Sequence, residues 1–250
     1  TSEGQSGLDV TTHHLGLGAE RVRFVATSAS RDARNREEFV AGVRARLGVE
    51  PEVVSGDVEA ALSFTGAVRG LGSPVDLPTL VVDIGGGSTE FVLGDDAPVA
   101  ARSVDIGCVR LTERHLHQDP AAPDAIGATI ADIEAAIDIA AQDVPLAEAR
   151  SLVGLAGSVT TVAAIALGLA AYDPAILHGS VITPSQVHDV TERLLAMTRA
   201  ERAALPVMHE GRVDVIGGGA LVLDRIVRRT GLTVVVSEAD ILDGIAWALA

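Results

Sequence analysis

The sequence predicts an α/β protein, and three observations predict it. Apolar, strand-like runs alternate with segments of helical period along the whole chain. The 250 residues are 48% apolar and 21% charged, enough to bury a sizeable core in one or two domains. No Pro/Ser-rich linker, low-complexity tract or fixed-period repeat breaks the alternation.

The opening, TSEGQSGLDV, is polar and lacks the apolar stretch of a signal peptide. RVRFVATSA (21–29) then reads as a strand, with Arg21 and Arg23 alternating against Val22 and Phe24. Phe39, Val43 and Leu47 recur at spacing four, so a helix follows, closed by Gly48. A short strand around Glu52 to Val54 leads into SGDVEAALSFTGAV, where Ser55 or Asp57 would cap a helix carrying Glu59 in its first turn.

LVVDIGG and STEFVLG run apolar on both sides of Gly85, Gly86 and Gly87 and read as a hairpin. Ile126, Ile130, Ile133 and Ile137 share one face of a helix over 124–142. Thr183, Pro184 and Gln186 supply the N-cap, first-turn proline and capping-box partner of the next helix, and Thr198 with Glu201 repeats the box. The end, TVVVSEADILDGIAWALA, predicts a strand, a Ser237/Asp240 box and an amphipathic final helix. GLAGSVTTVAAIALGLAA (154–171) is apolar but broken at its front by Gly154, Gly157, Ser158, Thr160 and Thr161; it reads as a buried strand-turn-helix, not a membrane span.

Composition removes several chemistries. All 19 basic residues are arginine, so Walker-A lysines, Schiff bases and pyridoxal anchors are excluded. The single cysteine, Cys108, can form neither an internal disulfide nor a Cys-rich zinc site, which fits a reducing compartment and makes the cytoplasm the expected location. A net charge of -15 argues against nucleic-acid binding. A polyanionic substrate would have to be met by metal and a local arginine patch, for which the stretch 1–46, with Arg21, Arg23, Arg31, Arg34, Arg36, Arg44 and Arg46, is the richest supply.

One pattern recurs: an apolar strand entering a glycine-rich turn with a small residue behind it. The instances are VVDIGGGSTE (81–90), SLVGLAGSVTT (151–161) and VDVIGGGALVL (213–223). Successive backbone amides in such turns can point into one concavity and bind an anion, with phosphate the obvious guest. Tight turns where backbone packs on backbone are the other reading. The first turn is the most specific, since a hairpin brings Asp83 and Glu90 to the same end, and carboxylates beside bound phosphates are how Mg²⁺ is usually held. A G-x-S-x-G elbow and a strand-borne G-x-G-x-x-G are both absent. The His13-His14 and His115-x-His117 pairs lack nearby cysteine and read as surface features.

ATSASRDARNREEF, SGDVEAALSFTGA, VVDIGGGSTEFVLG, DIGCVRLTERHL, GLAGSVTT, DVIGGGALVLD and SEADILDGIAWALA, in that order, resemble the exopolyphosphatase/guanosine pentaphosphate phosphatase family in its short two-domain form. The resemblance implies an actin-like, sugar-kinase-like (ribonuclease H-like) fold of two α/β domains with the active site in the cleft between them. It divides the chain into a partial first domain, 1–62 plus 238–250, and a second domain, 63–237. It implies a Mg²⁺-dependent phosphohydrolase that releases terminal phosphate from inorganic polyphosphate, with guanosine pentaphosphate as a further substrate, and members often form homodimers.

By the same resemblance Glu59 stands where the family has its catalytic carboxylate. Asp83 and Glu90 fall at Mg²⁺-associated acids, and Gly85, Gly86, Gly87 and Ser88 where backbone cradles phosphate. Arg31 matches an arginine near the phosphate path, and Gly107 with Cys108 a second backbone contact. The sequence departs at two points. The family opens with a D-x-G-S/T-N hairpin that this sequence lacks, so the expectation is a chain that begins with its first domain half built, and Val58 stands where a second acid is common. A non-catalytic polyphosphate- or alarmone-binding regulator and an ATP-dependent phosphotransferase of the same fold remain the alternatives.

Overall fold

The computed structural model describes residues 22–27, 30, 33–72 and 75–249. β1 (Val25–Ala26), α1 (Arg36–Leu47) and β2 (Glu52–Val53) form a small crossover unit whose two strands pair in parallel. Phe24 meets Phe39 at 6.1 Å between ring centroids, and Arg23 bonds Glu52 at 2.9 Å. Gly48 ends α1 in the left-handed region, φ 67°, as glycine does without penalty. α2 (Gly56–Gly70) follows, its N-terminus capped by the Ser55 hydroxyl, which accepts the Val58 amide.

β3 (Thr79–Ile84), β4 (Thr89–Gly94) and β5 (Pro98–Val104) make an antiparallel meander. Then come α3 (Cys108–His115), α4 (Pro123–Asp143), β6 (Ser151–Leu155), α5 (Ala156–Ala166) and α6 (Pro174–Leu177). β7 (Val181–Ile182), α7 (Pro184–Ala196), α8 (Arg199–Ala203), α9 (Ile216–Thr230), β8 (Val234–Val236) and α10 (Ile241–Trp247) complete the order. The six-stranded sheet runs β5-β4-β3-β6-β8-β7, with β3, β6 and β8 parallel and the others antiparallel.

Strand alternation assigns the two faces. Leu80, Val82, Ile84, Phe91 and Leu93 point to the larger core, shared with Leu111 of α3, Ile133 and Ile137 of α4, Val159 and Val162 of α5 and Leu223 of α9. Val81, Val92, Val153 and Leu155 point the other way, onto Ala60, Phe64 and Ala67 of α2. α10 lies against α2 so closely that a Cβ on Gly66 would stand 1.8 Å from the Asp240 carbonyl oxygen, and one on Gly244 2.0 Å from that of Leu62.

The hairpin, the helices over 36–47 and 123–143, and the capping boxes at Thr183 and Thr198 agree with the sequence reading. Three details differ. The strand expected over 21–29 is paired only at Val25–Ala26 among the described residues. The third glycine motif is not a strand and turn: Gly217, Gly218 and Gly219 lie in the first turn of α9. The final capping box is Asp240 with Asp243, not Ser237 with Asp240, and the Ser237 hydroxyl donates to the Ala239 carbonyl. Residue 63, where the resemblance sets the boundary between the two domains, lies within α2. Among the described residues no helix is long and apolar enough to cross a membrane; the suspect segment is β6, α5 and the turn behind them.

Candidate active site

The site is built on the β3–β4 hairpin. Asp83 and Glu90 are direct partners in its register, so both side chains leave the same face of the sheet. Period two puts them with Val81 and Val92, on the face covered by α2. Glu59, in the first turn of α2, is buried over them, and all three carboxylates are less than one-tenth exposed. Burial dominates: Asp83 is pushed up to about 6 by desolvation, against the hydrogen bond from Ser63 and with help from the charges of Glu59 and Asp240. Glu90 is pushed up to about 8 by burial and then by Asp83 and Glu59.

Asp240 is a fourth acid at this place, and the sequence reading missed it. It caps α10, accepting the Leu242 amide, and burial raises its carboxyl. Only the tight α2–α10 crossing brings it to Asp83, and no local pattern carries that information.

Gly85, Gly86, Gly87 and Ser88 form the turn between the acids. The Gly85 amide closes it on the Ser88 carbonyl at 3.1 Å. The amides of Cys108, Val109 and Arg110 take the carbonyls of Gly85 and Gly86, and the Arg110 guanidinium takes that of Gly87 at 2.6 Å. The carbonyls are thus turned back onto α3, while the amides of Gly86, Gly87 and Ser88 donate to no backbone carbonyl among the described residues. That is the polarity an anion nest requires.

Gly107 and Cys108 stand behind this turn. A Cβ on Gly107 would lie 2.3 Å from the Gly86 oxygen, and the Cys108 amide is committed to Gly85, so these two residues support the nest from the rear. The Cys108 thiol is raised by burial and lies beside Ser158 and Arg212. Arg31 lies outside the described residues, as do the His13-His14 pair and Arg21. His115 bonds Asp132 at 3.0 Å, so it is more than a free surface residue.

The other glycine segments converge on the same end of the sheet. A Cβ on Gly218 would meet the Cys108 carbonyl at 2.9 Å, and one on Gly219 the Ser158 hydroxyl at 2.2 Å, so the bare backbone at the start of α9 lies directly against Cys108 of α3 and the Ser158 side chain of α5. Arg212 lies over Gly157, 2.5 Å from where its Cβ would be, and donates to Thr161 at 3.0 Å. It puts a guanidinium at the N-terminus of α5, a cation the sequence reading did not single out.

The donor set can be tested against a divalent cation. Among the described residues neither Asp83 nor Glu90 has a cationic partner, although burial and repulsion both penalise their charge. No group of three or more His, Cys, Asp or Glu among those residues is arranged to hold a metal by itself. Mg²⁺ does not need one: it keeps several waters and commonly takes one or two carboxylates plus substrate phosphate oxygens. Two hard carboxylates beside an amide nest fit that pattern.

The sequence pattern of the Ppx/GppA phosphatase family matches residues 11–232. The chain belongs to the Ppx/GppA phosphatase family. Exopolyphosphatase 2 of Mycobacterium tuberculosis is 49% identical over 251 residues, covering 96% of this chain and 77% of the relative. Guanosine-5'-triphosphate,3'-diphosphate pyrophosphatase of Vibrio cholerae is 41% identical over 103 residues, covering 40% of this chain and 20% of its own. Among solved structures, the Ppx/GppA protein of Aquifex aeolicus superposes with TM-score 0.82 at 27% identity, over 99% of this chain and 80% of that one. An exopolyphosphatase-like protein reaches TM-score 0.91 at 40% identity, over 99% and 82%. The expected α/β fold and the expected hydrolase of phosphoanhydride bonds agree with this Ppx/GppA membership.

Proposed function

We propose that this Ppx/GppA chain is a Mg²⁺-dependent phosphohydrolase that releases terminal phosphate from inorganic polyphosphate, with guanosine pentaphosphate as a second substrate. The observation that carries the reading is that Glu59 of α2 is buried over the register partners Asp83 and Glu90, whose charges it opposes, at the end of the hairpin whose turn carries the amides of Gly86, Gly87 and Ser88. Phosphoryl transfer asks for in-line positioning, charge neutralisation and an oriented nucleophile, and these residues divide the work.

The three amides bind the oxygens of the terminal phosphate. Glu59 orients the attacking water and takes its proton as the new P–O bond forms and the bridging oxygen leaves. Asp83 and Glu90 would hold Mg²⁺, which when bound supplies positive charge to the phosphate oxygens. The sequence resemblance supports this division of roles among Glu59, Asp83, Glu90 and the 85–88 turn. The cleft between two domains, divided near residue 63, belongs to the same proposal, as does the homodimer.

The test is phosphate release from long-chain polyphosphate and from guanosine pentaphosphate, with and without Mg²⁺, beside Glu59→Gln. Mg²⁺-dependent release that the variant loses supports the hydrolase. Binding without release points to a regulator, and release only with a phosphate acceptor present points to a phosphotransferase.

A further inference from the structure

Two serines outside the family's expected set hold the carboxylates. The Ser63 hydroxyl donates to Asp83 Oδ2 at 2.7 Å, fully buried. The Ser103 hydroxyl donates to Glu90 Oε1 at 2.7 Å, from the position on β5 directly opposite Glu90 on β4. We infer that Ser63 and Ser103 are positioning residues that pin α2 to the two sheet carboxylates and so fix where Glu59 stands.

The helix geometry makes the case. Ser63 follows Glu59 by four residues, so the two share a face of α2, and the grip on Asp83 sets the rotation of that face over β3. Gly56 is the first residue of α2, and a Cβ there would stand 2.6 Å from the Ser103 Cβ. The start of the helix therefore rests on the same serine that bonds Glu90. Gly56 and Ser63 are about two turns apart, with Glu59 between them. One contact sets the height of the helix start and the other its rotation, which leaves Glu59 little freedom.

Satisfying a buried carboxylate would explain one serine. It does not explain why Ser63 and Ser103, unlike the Ser88 hydroxyl that also bonds Glu90, bear on one helix, one by belonging to it and one by carrying its first residue. A hydrogen bond to a charged group is also directional, so losing it frees a carboxylate rotamer as well as weakening a contact.

This inference rests on the proposed hydrolase for its kinetic part only. Ser63→Ala, Ser103→Ala, the double variant and the hydroxyl-retaining Ser103→Thr are compared with the parent chain. Three readouts are used: kcat and KM on polyphosphate with Mg²⁺, Mn²⁺ affinity of the metal-free protein by calorimetry, and crystal structures. Each alanine variant is expected to lower kcat about tenfold with KM changed less than about twofold. Mn²⁺ affinity falls in parallel, the double variant loses less than the product of the singles because both act through one helix, and threonine restores most of kcat. The crystal structures are expected to show a turned Glu90 or Asp83 carboxylate and a shifted α2 start. Alanine variants with unchanged kcat and Mn²⁺ affinity, and with α2 and both carboxylates in place, overturn the inference. A parent chain that releases no phosphate defeats the hydrolase reading alone, since the Mn²⁺ and crystallographic readouts still decide the positioning role.

Discussion

Asp83 and Glu90 face one another across the β3–β4 ladder, buried together on the side that α2 covers. Two carboxylates buried without a counterion cost stability when charged, chiefly through lost solvation and further through the neighbouring acids, and the pH dependence follows from that. Asp83 rises from 3.8 to about 6 and Glu90 from 4.5 to about 8. An acid raised by folding binds more protons in the folded chain than in the unfolded one between the two values. The metal-free protein should therefore be most stable on the acid side of this window and lose stability as pH rises from about 4 to about 8. Mg²⁺ should return part of that loss at the alkaline end, since it binds the folded state alone. Melting temperatures taken across the range, with and without Mg²⁺, check this; a flat metal-free profile counts against it. Glu90→Gln should flatten the profile more than Asp83→Asn.

Glu59→Gln keeps the volume of the side chain while removing its charge and its capacity to take a proton. Turnover should fall about 10²- to 10⁴-fold, the usual share of a positioned base. Polyphosphate binding should stay within a factor of about three, because the amide nest is untouched. Equilibrium binding measured beside kcat separates the two effects, and a variant that retains half its turnover removes Glu59 from the mechanism.

The hairpin and its acids were legible because every step was local: alternation, three glycines and two carboxylates spaced to meet. Glu59 was different. An acid in a first helical turn is ordinary, favoured by the helix dipole, and only the resemblance singled it out. Ser63, Ser103, Asp240 and Arg212 were invisible because each acts on a residue far along the chain, through sheet register or helix crossing. The third glycine motif misled for a physical reason. Glycine is a poor helix former, yet Gly218 and Gly219 sit in a helix because a side chain at either would strike Cys108 or Ser158. Tertiary approach outweighed local propensity there.

The α2–α10 crossing should be the least forgiving contact near the site. A methyl on Gly66 would meet the Asp240 carbonyl at 1.8 Å, and one on Gly244 the Leu62 carbonyl at 2.0 Å; backbone oxygens in both cases, with no flexible side chain to yield. Gly66→Ala and Gly244→Ala should each destabilise by about 2 to 3 kcal/mol, the cost of overpacking a rigid site. Because the two helices must part in either variant, the double variant should lose less than the sum. Urea titrations of the three proteins give the values, and a loss below about 0.5 kcal/mol in either single variant would show the crossing to be looser than described.

Gly107 and Gly127 offer a matched pair that separates support of the nest from general glycine effects. A Cβ on Gly107 would lie 2.3 Å from the Gly86 oxygen and 2.7 Å from the Gly87 nitrogen, so alanine there must push the phosphate turn from behind. Gly127 is exposed on α4 with nothing within 4 Å of an added Cβ. Gly127→Ala should stabilise by about 0.5 to 1 kcal/mol through helix propensity and leave kcat/KM unchanged. Gly107→Ala should lower kcat/KM at least about tenfold, because an anion nest works only while its amides converge. The decisive comparison is with Glu59→Gln: displaced amides weaken polyphosphate binding, whereas a lost base does not. A Gly107→Ala protein that binds polyphosphate as the parent does would mean the turn yields without opening, and that its amides are not what holds the substrate.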